Sequence, residues 1–159
     1  MVSEKAKGRK KAKALIVYYS MTGNTEKVAK AIAKGLKKKA DVAVKKAAQF
    51  SPAETGRYDV VGFGSGVYGM RFSDKITAKM EKIPESTKKF FLFSTSGMGI
   101  SAFGRPKRIL ESKGLQFIGG FKCKGFEKLG PLKLIGGINK GRPNKEDLRR
   151  AEDFGSKLI

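Results

Sequence analysis

Residues 14–25 read ALIVYYSMTGNT, and the reading of this stretch decides the fold. Ala14–Tyr19 is a continuous apolar run with no polar alternation, the pattern of a strand buried on both faces of a parallel sheet. Ser20–Thr25 then crowds three hydroxyls and a glycine into a turn. An amphipathic helix is predicted behind it, from Thr25 to Lys39. Val28, Ala29, Ile32, Ala33 and Leu36 recur at helical spacing, with Lys27, Lys30, Lys34 and Lys38 toward water. A helix that starts just beyond a buried strand aims its unpaired amides and the positive end of its dipole at one spot. The loop is therefore predicted to hold an anion such as a phosphate, with Ser20, Thr22 and Thr25 as further donors. It is not a Walker A loop, because no G-x-x-x-x-G-K-[ST] is present.

Working outward, Val42–Val44, Tyr58–Gly64, Phe90–Thr95 and Phe117–Cys123 read as further strands. Helices are predicted around Ile76, Met80 and Ile83, from Pro106 (at a first helical position) to Lys113, and from Asn144 to the end. Asp147 three residues after Asn144 resembles a capping box, and Leu148, Ala151, Phe154 and Leu158 are the buried stripe. Strands alternating with helices make βαβ units, hence an α/β domain with a parallel sheet covered by helices on both faces. Five strands match the smaller doubly wound sheet, whose ligands bind beyond the carboxyl ends of the strands. Residues 14–159 form one domain, and residues 1–13, nearly all polar and basic, are expected to be a disordered tail. The apolar run behind that tail is too short for a signal core or a membrane span, so a soluble, cytoplasmic protein is expected.

Composition narrows the chemistry. The chain has 159 residues, no histidine and a single cysteine, Cys123. That excludes imidazole catalysis, Ser-His-Asp arrangements, internal disulfides and cysteine- or histidine-rich metal sites, and no metal is expected. Redox chemistry, if present, must come from a bound cofactor. Thirty-five Lys and Arg against fourteen Asp and Glu leave a net charge of +21, which bears on encounter with acidic partners and not on the fold.

The strand followed by S/T-x-T-G-x-T and an amphipathic helix resembles the phosphate loop of flavodoxins and flavodoxin-like flavoproteins. The resemblance covers residues 14–159. It implies a five-stranded sheet of order 2-1-3-4-5 and one noncovalently bound flavin mononucleotide (FMN), its phosphate held by Ser20, Met21, Thr22, Gly23, Asn24 and Thr25. Residues 64–70 (GSGVYGM) fall where the family has its second flavin loop, which makes Ser65, Gly66, Val67, Tyr68 and Gly69 contact residues and Tyr68 the flavin-stacking side chain. The G-x-G-x-x-G in this segment is not read as a dinucleotide fingerprint, because its third glycine does not open a helix. Thr95, Ser96, Gly97 and Met98 form the third flavin loop, with Phe103 as the only candidate for the family's usual second aromatic.

An over-long stretch, residues 125–143, leaves the fifth strand at the same edge. It is expected to be functional, the alternative being extra packing against the sheet edge, with Leu132, Leu134, Ile135 and Ile138 as an apolar body. What the resemblance implies is an electron carrier with no catalytic acid or base. The alternative is an FMN-dependent quinone or NAD(P)H oxidoreductase of the same fold, and a flavin-free nucleic-acid adaptor is the third class. Flavodoxins are typically acidic, and this chain is not. Lys124, Lys133, Lys140 and Arg142 are expected as a positive rim that stabilises reduced, anionic flavin. The same charge predicts a redox partner protein with an acidic docking surface, and non-specific affinity for nucleic acid or anionic membrane.

Overall fold

A computed structural model describes residues 11–86, 88–126 and 137–159. The basic residues 1–10 lie outside the described residues, as do Leu132, Lys133, Leu134 and Ile135 of the long stretch. The chain runs β1 (Ala12–Tyr19), α1 (Asn24–Leu36), β2 (Ala40–Lys46), two short 3₁₀ segments (Ala47–Gln49 and Pro52–Arg57), β3 (Val60–Tyr68), β4 (Arg71–Phe72), α2 (Asp74–Met80), β5 (Lys89–Ser96), α3 (Gly104–Ser112), β6 (Gln116–Lys124) and α4 (Lys145–Ser156). The long strands lie side by side in the order β2-β1-β3-β5-β6, all parallel. Counted without the two-residue β4, that is the expected 2-1-3-4-5.

Alternation along each strand divides the core. Ala14, Ile16, Tyr18, Phe91 and Phe93 face one side with Val28, Ile32 and Leu36 of α1 and Ala151 of α4. Leu15, Val17, Phe63, Phe90 and Leu92 face the other with Ile76 and Met80 of α2 and Leu110 of α3. Helices thus cover both faces, which is why the central strands carry no polar alternation. Two pairs of glycines let the layers close. A Cβ on Gly62 or Gly64 would stand 2.0 Å from the ring of Phe91 or Phe93, so these rings fill the space beside β3. A Cβ on Gly155 would stand 2.1 Å from the Ile32 carbonyl, and one on Gly35 would strike the Glu152 carbonyl, so α1 and α4 touch backbone to backbone.

Several boundaries differ from the sequence reading. β1 begins at Ala12, because Ala12 and Lys13 pair with Ala40 and Asp41 of β2. α1 ends at Leu36 rather than Lys39, and its amides at Lys37, Lys38 and Lys39 close a turn into β2. α3 starts at Gly104, so Pro106 is its third residue and not its first. β3 runs on from Gly64 to Tyr68, since Tyr19 pairs Ser65 and Thr95 pairs Gly66, after which Val67 and Tyr68 fold back onto Phe72 and Arg71. The capping box of α4 is present: the Asn144 side chain accepts from the Asp147 amide at 2.9 Å, and Asp147 accepts from the Asn144 amide at 2.8 Å.

Candidate functional site

The carboxyl ends of β1, β3, β5 and β6 open onto one cleft, lined by Thr22, Asn24, Thr25, Gly66, Val67, Tyr68, Thr95, Ser96, Gly97, Gly125 and Phe126. The three segments singled out from sequence therefore converge, although Thr25 and Ser65 are 40 residues apart in the chain and Gly69 and Thr95 are 26 apart.

The turn after β1 is held in shape from within. Gly23 adopts φ 89, a left-handed conformation that a side chain would strain, and its amide donates to Ser20 Oγ at 2.9 Å. Ser20 thus acts as the loop's own brace. Thr25 is buried, and its hydroxyl pairs with that of Thr95 at 2.8 Å, which ties the first loop to β5. The Asn24 amide group donates to the Phe126 carbonyl at 2.9 Å and fills the space where Gly125 lacks a Cβ, clipping β6 to the same loop. What remains are the backbone amides of Thr22, Asn24 and Thr25, which take no partner among the described residues, and the exposed Thr22 hydroxyl. α1 has no side-chain cap. Uncapped amides at the first turn of a helix, directly behind a buried strand, are what a phosphate dianion needs.

Val67 and Tyr68 border this loop. Tyr68 Oη accepts from the Met21 amide at 3.2 Å, and its ring meets Tyr19 edge-on at 5.9 Å. The ring lies over Gly66, where a Cβ would stand 2.5 Å from Tyr68 Oη. Gly66 is therefore a seat for the tyrosine. In the third segment the Ile100 amide donates to Ser96 Oγ at 2.6 Å, Gly97 is buried and accepts from the Asn139 side chain, and Met98 projects into solvent. Ser65 is fully buried, its hydroxyl accepting from the Ser73 amide at 3.0 Å, and it does not line the cleft.

Two expectations are overturned. Phe103 is no flavin-facing aromatic. It packs edge-on against Phe72 at 6.0 Å and fills the space beside Gly120, on the α2/α3 side of the sheet. Arg142 is not a free positive charge at the rim, because its guanidinium forks onto Asp147, with Nη2 at 2.8 Å from Oδ1. Lys124 and Lys140 are exposed, and the Lys124 stem lies against Gly99.

Sequence reasoning missed the polar latch behind the cleft. Burial pushes the Asp147 carboxyl up, but hydrogen bonds from Arg142, the Asn144 amide and Arg150 outweigh it and hold the group at about 2. Arg142 in turn offers its carbonyl to the Phe126 amide at 2.8 Å, so a chain of bonds runs from Asp147 to Asn24 in the first loop. The capping box was the only visible part of this arrangement. Cys123 is buried beside it, and burial, with Asp147 nearby, pushes its thiol up to about 12. That is an unreactive cysteine.

Strand order, crossover helices and a shared cleft at the carboxyl edge define a flavodoxin-like doubly wound α/β domain. The comparisons carry this to the family. The family model for the flavodoxin domain matches residues 15–129, and the chain belongs to that family. An uncharacterized protein of Methanocaldococcus jannaschii is 40% identical over 151 residues, covering 92% of this chain and 98% of that one. Among solved structures, a flavodoxin of Streptococcus pneumonia TIGR4 superposes with a TM-score of 0.72 at 22% identity, over 92% of this chain and 97% of its own. Oxidised flavodoxin 1 of Bacillus cereus gives 0.68 at 20%, over 92% and 97%. Among the described residues no helix is long and apolar enough to cross a membrane.

Proposed function

We propose that this protein is an electron carrier that binds one FMN noncovalently. The carrying observation is the set of unpartnered amides at Thr22, Asn24 and Thr25 beside the Thr22 hydroxyl, at the mouth of a cleft lined by Gly66–Tyr68 and Thr95–Gly97. The donor set fits a phosphate dianion without a lysine, and the glycine-rich, hydroxyl-bearing walls fit the polar edge of a flavin ring. Bound there, the flavin would supply the redox chemistry, and the protein would set its potential. This chain's part is to bind and orient. Loop amides hold the phosphate, Tyr68 packs against the ring, and the Thr25–Thr95 pair fixes the two loops relative to each other.

Apart from the Tyr68 hydroxyl, no side chain lining the cleft among the described residues exchanges a proton in water's accessible range. That favours a carrier over an oxidoreductase needing acid–base help. A lone buried cysteine fits the reducing cytoplasm. The test is the absorption spectrum of protein incubated with FMN and freed of excess. Flavin bands near about 370 and 450 nm are expected, with FAD bound more weakly because the loop closes over a terminal phosphate. Protein that retains no FMN at micromolar concentration refutes the reading.

A further inference from the structure

Among the described residues four large apolar side chains stand exposed, and three of them, Met21 (57%), Met70 (67%) and Met98 (77%), sit on the three segments that frame the cleft. Unbranched, polarisable methionines suit a surface that meets another protein. Met70 is held out at a cost. It is the second residue of the two-residue Gly69-Met70 turn between β3 and β4, with φ 55 at Gly69 and φ 67 at Met70. Such turns ordinarily take Asn-Gly or Gly-Gly, and a left-handed non-glycine residue is strained.

Beside Met70 lies a cavity of about 240 Å³ lined by Arg71, Arg105 and Arg108 over Phe72, Ala102 and Pro106, and among the described residues no carboxylate lines it. Arg105 reaches outward to Asp74 at 3.5 Å and Glu81 at 3.3 Å. Arg71 and Arg108 take no ion pair among the described residues. The Arg108 guanidinium folds back to within 3.5 Å of where a Cβ on Gly104 would stand, at the start of α3. The first turn of that helix holds no acidic residue. Cations gathered at the positive end of a helix repel it, and among the described residues only Arg105 of the three is relieved, by Asp74 and Glu81.

We propose that the Met70 turn and the arginine cavity are the docking surface for an acidic protein partner. Partner carboxylates enter between Arg71, Arg105 and Arg108, while apolar contact is made to Met70 and its neighbours at the cleft. Charge complementarity selects the partner class, since among the described residues all the charged side chains along the cavity are arginines, on a chain of net charge +21. This deepens the carrier reading, because it sets the partner against the flavin cleft, but the docking itself requires no flavin.

The probe is a fluorescently labelled acidic ferredoxin, titrated with the full chain at low ionic strength and followed by anisotropy. Arg71→Glu combined with Arg108→Glu should weaken binding about tenfold or more. A charge-matched control, Lys37→Glu with Lys89→Glu at the amino end of the sheet, should change it less than about twofold. Met70→Gln should weaken it severalfold, and this loss should persist at high salt. Equal losses from both charge-reversed pairs, no binding by the wild type, or stronger arginine-dependent binding of single-stranded RNA would each overturn the proposal. FMN retention is measured on the same samples. A colourless protein that still binds ferredoxin through the arginines ends the carrier reading and leaves the docking surface standing.

Discussion

Asp147 is almost wholly buried, yet ionised, and Asp147→Asn removes its charge while keeping its shape. The carboxylate accepts from Arg142 Nη2 at 2.8 Å, Arg150 Nη2 at 2.9 Å and the Asn144 amide at 2.8 Å. Its pKa is about 2 in the fold against an ordinary 3.8. At about 1.4 kcal/mol per unit, the surroundings stabilise the folded state by about 2 kcal/mol at neutral pH. The folded value lies below the unfolded one. The contribution is therefore complete above about pH 5, falls to roughly half near pH 3, and is nearly gone at pH 2. Asparagine would also turn an N–H₂ toward two guanidiniums. Urea unfolding followed by circular dichroism should place Asp147→Asn about 2 kcal/mol below the wild type at pH 7, a gap that narrows by about half at pH 3. A gap of the same size at both pH values, or none at pH 7, refutes the reasoning. The variant should also loosen the bonded chain through Arg142, Phe126 and Asn24 that braces the first loop.

Thr22→Ala should weaken FMN binding by about 1–3 kcal/mol, the cost of leaving a charged acceptor short of a donor, and leave riboflavin unaffected. Flavin fluorescence quenching reads both affinities, and equal losses would point to a folding defect. Gly66→Ala should drive Tyr68 off its seat, since the new Cβ falls 2.5 Å from Tyr68 Oη, and weaken FMN and riboflavin alike. Unchanged riboflavin affinity would mean that Tyr68 does not touch the ring. Cys123, with its thiol near 12, should resist a thiol reagent at pH 8 in the folded protein and react once urea is added. Rapid reaction without denaturant would place the sulfur nearer water than its burial allows.

Much of the fold was legible because it rests on short-range pattern. An uninterrupted apolar run as short as Ala14–Tyr19, closed by the turn residues behind it, is the pattern of a strand covered on both faces. The Lys27–Lys38 stripe opposite Val28–Leu36 fits only a helix on a sheet. The turn proposed to bind an anion was legible as a turn for the same reason: strand, hydroxyl-rich turn and helix are contiguous, so their geometry is local. The capping box at Asn144 and Asp147 is also local, and it was read correctly.

What the sequence could not supply depends on which distant segments meet. Pattern marks a strand's apolar body but not its end, so Ser65–Tyr68 read as loop until pairing with Tyr19, Thr95 and the β4 hairpin made them strand. An aromatic near a loop reads the same whichever way it turns, and only packing sent Phe103 inward against Phe72. Arg142 counted as rim charge until the fold placed Asp147 beneath it. The arginine cavity draws Arg71 from the end of β3's hairpin and Arg105 and Arg108 from α3. Local residues and spacing thus determined the strands, the helices and the hydroxyl-rich turn between β1 and α1. The direction each side chain faces came only from tertiary packing, because it depends on neighbours brought together from far along the chain. Even the Arg142–Asp147 pair, five residues apart, needed the fold to turn the two side chains toward each other.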